Sequence, residues 1–327
     1  MTRLAHRIAL LGAGATLALA SFAALAEPAR PECIAPAKPG GGFDLTCKLA
    51  QSALMDSKAL QNPMRVVYMP GGVGAVAYNA IVAQRADDAN AIVAFSGGSL
   101  LNLAQGKFGK YNVNDVRWLA GIGTDYGMIA VRADSPYKTL KDLMAALKAN
   151  PSQVVFGAGG TVGSQDWMKS ALVAKKAGVD FKQMRYVAFE GGGETFTALL
   201  GGHVQAVSGD IGEAAPQLQA GKIRVLAVLA DKRLPGDLGS IPTAKEQGYD
   251  ISWPIIRGFY VGPKVSDADY AFWEKSFKKV MASPEFAKLR QNRDLYPFSM
   301  TGKELDAYVK KSVKDYQALA GEFGLIK

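Results

Sequence analysis

Apolar residues in this chain occur in short runs, and each run is followed by a glycine-rich segment and then by apolar positions at helical spacing. The first such unit covers residues 32–54. It contains the glycine run 39–42 and then Leu45, Leu49 and Ala53, which recur at the period of an α-helix. The pattern predicts a strand, a tight turn and an amphipathic helix.

The same unit recurs in both halves of the chain. Glycine-rich segments follow predicted strands at residues 39–43, 71–74, 96–99, 159–164 and 190–193. Strands that alternate with helices predict an α/β fold with a mostly parallel sheet and helices on both of its faces. Ligands of such sheets bind beyond the carboxyl ends of the strands, where these loops gather.

The repetition also predicts two lobes joined by a hinge. We expect one lobe from residues 27–130 plus 253–327, where the last part is a block of helices without a sheet of its own. The other lobe would be residues 131–252. The chain would then cross between the lobes near 129–131 and again near 253–261, and two crossings favour a hinge.

The first residues have the pattern of a secretory leader. Arg3 and Arg7 precede an apolar run that ends in Ala24-Leu25-Ala26, a small-x-small cleavage pattern. We therefore interpret residues 1–26 as a signal peptide rather than a membrane anchor, and we expect an exported, soluble mature protein.

The chain has two cysteines, Cys33 and Cys47, on either side of the first glycine run. Export would bring them into an oxidising compartment, so we predict a disulfide between them. In the chain-entropy model, a disulfide that closes a loop of this size stabilises the folded state by about 3 kcal/mol. No histidine or second cysteine pair nearby favours a metal site, and no C-x-x-C favours redox chemistry.

Several function classes lack the residues they need. The formal net charge is +9, but the lysines are spread along predicted helices and no basic run interleaved with aromatics predicts nucleic-acid binding. One of the two histidines, His6, lies in the leader, so a secreted hydrolase would depend on His203 alone. We predict a protein that is not an enzyme and has no cofactor or metal, and keep a hydrolase as the alternative of a different class.

The glycine loops instead favour anion binding. A loop between a strand and a helix presents free backbone N–H groups, with the positive end of the helix dipole behind them. If the loops of the two lobes face each other, side-chain donors would come from Ser96, Ser99, Thr161, Ser164 and Gln165.

Four motifs resemble a known family. They are the segments 39–44 (PGGGFD), 70–74 (PGGVG), 160–164 (GTVGS) and 199–204 (LLGGHV). Together they resemble the substrate-binding receptors of tripartite tricarboxylate transporters, the Bug family of periplasmic proteins, over essentially the whole mature length. The cysteine-containing opening is similar to the branch associated with citrate-type tricarboxylates.

The resemblance implies a two-lobed periplasmic binding protein, a "Venus flytrap" that closes around a small carboxylated solute. It also implies a periplasmic monomer that delivers the solute to a membrane permease of one large and one small subunit. We expect a citrate-like tricarboxylate or a dicarboxylate as the solute. Another carboxylated solute such as an amino acid or aromatic acid, and sensing instead of transport, remain open, because backbone N–H groups are the same whatever the side chains.

Carried over residue by residue, the resemblance implies a ligand site formed by Gly41, Gly42, Phe43, Asp44, Gly160, Thr161, Val162, Gly163, Ser164 and Gly191. We expect Asp44 to cap its helix, because a second carboxylate would repel an anionic ligand. Many members have a Pro-Tyr-Lys-Gly-like turn where this chain has Ala188-Phe189-Glu190-Gly191, so Glu190 replaces a cation. Glu190 would then select a hydroxyl or an amine, or point to solvent.

Overall fold

The computed structural model describes residues 27–326, and the predicted leader lies outside the described residues. The strands are β1 (Glu32–Ala35), β2 (Arg65–Tyr68), β3 (Ala91–Ser96), β4 (Arg117–Arg132), β5 (Val155–Gly159), β6 (Arg185–Phe189), β7 (Ala206–Asp210), β8 (Ile223–Leu229), β9 (Pro254–Val261) and β10 (Met300–Thr301). The α-helices are α1 (Gly42–Asp56), α2 (Ala75–Gln84), α3 (Gly97–Ala104), α4 (Leu140–Ala149), α5 (Gln165–Lys176), α6 (Gly192–Leu200), α7 (Ile211–Gln219), α8 (Asp267–Met281), α9 (Pro284–Gln291) and α10 (Gly302–Glu322).

Two groups of parallel strands form the outer parts of the sheet. In the first group β1 lies between β2 and β3, and Cys33 is paired with Val66 on one side and Ile92 on the other. In the second group β5 lies between β6 and β7. Strands β1 and β3 are buried along their whole length, which is why they read as continuous apolar runs. The mixed α/β architecture predicted from the sequence is confirmed.

The centre of the sheet is antiparallel. Strand β4 pairs with β9 along its first part and with β7 and β8 along its second part. The sequence pattern predicts two separate strands here, because Gly123-Thr124-Asp125 interrupts the apolar run. The structure instead has one strand, in which register shifts around residues 118–123 keep the backbone paired with β9. A β-bulge absorbs the extra residue without ending the strand.

The apolar core lies on both sides of this central strand. On the first side Trp273 and Phe277 of α8 pack under the sheet, and the Phe277 ring lies 5.2 Å from that of Phe259 in β9. On the second side the core includes Trp167 of α5. The residue after α10, Phe323, packs 6.3 Å from the Trp167 ring, and Leu305, Val309 and Val313 of α10 pack in a further core cluster with Phe95 and Trp118.

The predicted disulfide is present and joins the first two elements. Cys33 of β1 and Cys47 of α1 are bonded, with their Cα atoms 5.6 Å apart, and both are fully buried. The bond fixes the start of α1 against the strand that precedes it. Within residues 27–326 no helix has both the length and the hydropathy needed to cross a bilayer.

Candidate functional site

The N-termini of five helices lie around one cavity. Helices α1, α3, α5, α6 and α7 each follow a strand, and the residues at their N-termini line a single enclosed cavity between the two parallel groups. The first-turn N–H groups of a helix have no intrahelical acceptor, and each N-terminus carries about half a positive charge. Backbone donors therefore surround the cavity. Four of these helices, α1, α3, α5 and α6, follow glycine loops expected from the sequence, whereas loop 71–74 leads into α2 and α7 follows Asp210.

The cavity is small, with a volume of about 40 Å³. It is lined by Ala37, Gly41, Gly42, Phe43, Val73, Ser96, Gly159, Gly160, Gln165, Asp166, Glu190, Gly191, Gly192, Asp210, Glu213 and Arg257. Eight of these residues belong to the set predicted from the sequence: Gly41, Gly42, Phe43, Ser96, Gly160, Gln165, Glu190 and Gly191. Thr161 lines a neighbouring surface pocket of about 280 Å³ instead.

Glycines allow α1 and α6 to meet at the cavity. A Cβ on Gly41 would lie 3.2 Å from the backbone N of Gly192, tighter than most real contacts. A Cβ on Gly42 would collide with the guanidinium of Arg257. The glycine run is therefore required by the close approach of two helix N-termini and one buried side chain.

Asp44 lies in the first turn of α1 and does not line the cavity. Its carboxylate accepts hydrogen bonds from the Gly40 N–H, the Tyr68 hydroxyl and the Lys48 ammonium, each at 2.8 Å. The sequence led us to expect a helix cap at Asp44, but the N-cap of α1 is Gly41, and Asp44 instead holds the Gly40 N–H that precedes it.

The other predicted residues also support the site from outside the cavity. Ser99 completes a capping box with the N-cap of α3, and Ser164 caps α5 by accepting from the Trp167 N–H at 3.3 Å. The carbonyl oxygens of Val162 and Gly163 accept hydrogen bonds from Lys107 Nζ at 2.8 Å and Gln105 Nε2 at 2.7 Å. The loop 160–164 is thereby hydrogen-bonded to the segment that follows α3.

A buried ionic network at the cavity is absent from the sequence prediction. Arg257 of β9 is 1% exposed. Its Nη2 atom donates to Asp125 of β4 at 2.8 Å and to Asp210 at the end of β7 at 2.6 Å. One guanidinium therefore joins three strands from distant parts of the sequence.

Lys169 of α5 is the second cation of this network, and it is fully buried. Its ammonium donates to Asp210 at 2.5 Å and to the Gly209 carbonyl at 2.6 Å, and it pairs with Asp166 at 2.8 Å. Burial opposes its charge, but the carboxylates of Asp166 and Asp210 raise the pKa of Lys169 above its ordinary value. Burial likewise opposes ionisation of Asp210, and the two cations hold the pKa of that carboxyl below its usual range.

Glu213 of α7 contacts the N-termini of two other helices. Its Oε1 atom accepts a hydrogen bond from the Gly42 N–H at 2.6 Å, at the N-terminus of α1, and lies 3.7 Å from Arg257 Nη2. Its Oε2 atom lies against Gly192 at the N-terminus of α6. Burial, and then the negative charge of Asp210, raise the pKa of Glu213 well above its ordinary value.

The network could not be found from spacing, because the contacts that hold it together, Lys169 to Asp210 and Arg257 to Asp125, join residues 41 and 132 positions apart along the chain. One feature of the sequence does indicate a buried ion pair. Arg257 is the only charged residue in the apolar strand Pro254–Val261, and a charge in a fully buried strand requires a buried partner.

Comparisons with known proteins identify the family. Residues 49–325 match the model of the tripartite tricarboxylate transporter family receptor. The chain is 30% identical over 337 residues to the "UPF0065 protein in gbd 5′ region" of Cupriavidus necator, covering 98% of this chain and 97% of that protein.

Solved structures show the same fold at low sequence identity. The periplasmic binding protein BugD superposes with a TM-score of 0.81 at 20% identity, covering 91% of this chain and 98% of that one. MatC from Rhodopseudomonas palustris, with bound malate, superposes with a TM-score of 0.77 at 18% identity, covering 88% of this chain and 98% of that one. These relatives are binding proteins, not enzymes, and they have the two-lobed fold of periplasmic receptors. The chain belongs to the tripartite tricarboxylate transporter receptor family, as the sequence motifs predict.

Proposed function

We propose that this protein is a periplasmic receptor that binds a small di- or tricarboxylate and delivers it to a tripartite-type membrane permease of one large and one small subunit. The observation that carries the proposal is the convergence of five helix N-termini on one enclosed cavity. Such N-termini form an anion site, because N–H groups and helix dipoles both favour negative charge.

The solute carboxylate would be held where α1 and α6 meet. Phe43 and Gly192, in the first turns of α1 and α6, line the cavity together with Gly42, whose N–H binds Glu213. The malate named with the structurally similar MatC is a dicarboxylate, which supports this solute class for the present chain.

The proposed closing motion uses the two central strands. We assign residues 27–130 plus 253–327 to one lobe and 131–252 to the other, with β4 and β9 as the crossings. These strands pair from Arg117 to Tyr126, so a bend beyond that pairing would move one lobe against the other. The leader pattern in residues 1–26 and the disulfide support export to an oxidising compartment.

A thermal-shift screen of the mature protein, residues 27–327, tests the proposal. The ligands are citrate, cis-aconitate, tricarballylate, malate, succinate, aspartate and glutamate. A ligand that binds only the folded state stabilises it, by about 2.7 kcal/mol when the free ligand concentration is one hundred times Kd. The unfolding midpoint therefore rises. We expect a shift with at least one of these acids, and its absence from the whole set would contradict the proposal.

A glycine variant locates the binding site. Gly42→Ala introduces a Cβ that collides with Arg257, so we expect it to reduce the affinity for the responding acid at least tenfold. Gly321→Ala is the matched control, since a Cβ there meets nothing within 4 Å and the residue lies in α10. Equal affinity in the two variants would place the solute elsewhere.

A further inference from the structure

A carboxylate of the protein itself lies at the point where α1 and α6 meet. The Oε1 atom of Glu213 accepts a hydrogen bond at 2.6 Å from the N–H of Gly42, the first residue of α1. A Cβ on Gly192, the first residue of α6, would collide with the Oε2 atom of the same carboxylate. Glu213 therefore occupies the position in which we place the carboxylate of the solute.

Little space remains beside this carboxylate. The cavity of about 40 Å³ has room for roughly three water molecules. Malate and citrate each contain more carbon and oxygen atoms than this space can hold. A di- or tricarboxylate therefore needs both the space and the Gly42 N–H that Glu213 holds.

The charges of the site also prevent two carboxylates from sharing this position. The ionic network comprises four carboxylates and two cations: Asp125, Asp166, Asp210, Glu213, Lys169 and Arg257. A solute carboxylate beside an ionised Glu213 would add another negative charge at a buried site, and like charges repel there. A solute carboxylate that replaces Glu213 leaves the charge of the network unchanged.

One donor of the network is available to an incoming carboxylate. Arg257 lines the cavity, and its Nε atom has no hydrogen-bond partner among the described residues. A guanidinium N–H that donates to a carboxylate forms a charge-assisted hydrogen bond, which is stronger than a neutral one. A solute carboxylate can therefore gain a contact with Arg257 that Glu213 does not make.

The fold provides a second location for the side chain of Glu213. Besides the cavity, Glu213 lines an outer pocket of about 810 Å³ that also contains Lys38 and His203. The backbone of α7 is anchored separately, because Asp125 accepts a hydrogen bond from the Gly212 N–H at 3.1 Å. A change of side-chain rotamer would move the carboxylate of Glu213 from the cavity to the outer pocket while α7 stays in place.

We propose that Glu213 is an internal competitor of the solute. Its carboxylate occupies the anion position between α1 and α6, and the solute carboxylate binds by displacing it into the outer pocket. This inference rests on the proposed function for the chemical class of the solute, because a carboxylate is the group that replaces Glu213. The internal contact itself does not depend on the identity of the solute.

Affinity measurements test the competition. Isothermal titration with malate, succinate and citrate compares the wild-type mature protein with Glu213→Gln, which removes the charge, and Glu213→Ala, which removes the competing group. We expect both variants to bind at least one of these acids at least tenfold more tightly than the wild type. Glu285→Gln, which changes an exposed carboxylate on α9, is the control and should bind as the wild type does. Circular dichroism establishes that each variant is folded.

The opposite result has a clear meaning. Equal or weaker binding by the folded Glu213 variants would overturn the inference and leave the proposed function standing, because Glu213 would then be neutral to the solute or part of its binding site. Failure of all these acids to bind the wild type and both variants would contradict the proposed function.

The pH dependence distinguishes competition from a structural role. Burial, and then the charge of Asp210, raise the pKa of Glu213, so this carboxylate takes up a proton above the ordinary range of a glutamate and then competes less strongly. We expect solute affinity to rise as the pH falls from 9 to 6, and to rise less in Glu213→Gln. An equal change in the two proteins would overturn the inference. The charged and titratable groups around Glu213 are Asp125, Asp166, Asp210, Glu190 and Arg257 at the cavity and Lys38, Glu194 and His203 in the outer pocket.

The internal contact can also be measured without a solute. In ¹⁵N-labelled mature protein, we expect the amide resonance of Gly42 to shift as Glu213 titrates, and this shift should be absent from Glu213→Gln. A saturating acid should remove the pH dependence of the resonance in the wild type, because the solute then takes the place of Glu213. A Gly42 resonance that does not respond to pH in the wild type would overturn the inference.

Discussion

Arg257 is the residue on which the buried network depends. It is the counter-charge of both Asp125 and Asp210, and those carboxylates belong to different strands. Water does not reach either of them, because both are almost completely buried. Arg257 therefore pairs with two charges that would otherwise repel each other in the interior, and Lys169 shares the compensation of Asp210.

We expect Arg257→Met to lower the free energy of unfolding by about 3–5 kcal/mol, because removal of one partner leaves buried carboxylates uncompensated. Urea titration followed by tryptophan fluorescence measures this change. Lys245→Met is the control, since its pair with Asp250 is exposed and such pairs contribute about 0–1 kcal/mol. A loss below about 1 kcal/mol for Arg257→Met would contradict the assigned role.

At the scale of elements, the first strand, glycine loop and helix act as one unit. The buried strand β1 ends before the loop, and α1 begins at Gly42 with its N-terminus facing the cavity. The disulfide between Cys33 and Cys47 closes this unit, so the position of α1 does not depend on packing alone.

The double variant Cys33→Ala/Cys47→Ala should lose about 3 kcal/mol of stability, because the unfolded chain regains the entropy of the opened loop. Urea titration of the oxidised and variant proteins tests this value. Intact mass before and after reduction tests the bond itself: we expect a gain of two hydrogens, and reaction of both thiols with a label in the native, unreduced protein would disprove it.

At the scale of the molecule, the proposed lobes touch through a few polar contacts outside the cavity. Gln105 and Lys107, after α3, bind the carbonyl oxygens of Gly163 and Val162 in the second half. Lys38 pairs with Glu194 at 2.5 Å across the same cleft. The contacts are exposed or half-buried, so each contributes little, but together they bias the closed arrangement.

We expect the double variant Gln105→Ala/Lys107→Ala to shift the protein towards an open form and to weaken solute binding about three- to tenfold, because each hydrogen bond contributes about 0.5–1.5 kcal/mol. Small-angle X-ray scattering measures the radius of gyration, which should increase in the variant. Lys311→Ala, which removes an exposed pair with Asp315 within α10, is the comparison. No change in either radius or affinity would show that these contacts do not hold the lobes.

The local features of the fold were accessible from the sequence because they depend on neighbouring residues. Glycine runs after apolar runs located five helix N-termini, and the cysteine pair was assigned correctly. Ser99 and Ser164, expected as donors to the ligand, make capping hydrogen bonds of α3 and α5 instead. Eight of the predicted site residues line the cavity, since most of them belong to those loops. The remainder of the predicted set caps or braces the same loops from outside.

The amino-acid sequence by itself determined the two-lobed α/β fold, the disulfide and the family, because each is encoded in local patterns or motifs. Only the tertiary structure decided that β4 is one continuous strand and that Asp125, Lys169, Asp210, Glu213 and Arg257 form one ionic network at the cavity. The reason is physical: ion pairs between groups far apart in the chain form through strand order and burial, and neither depends on local spacing.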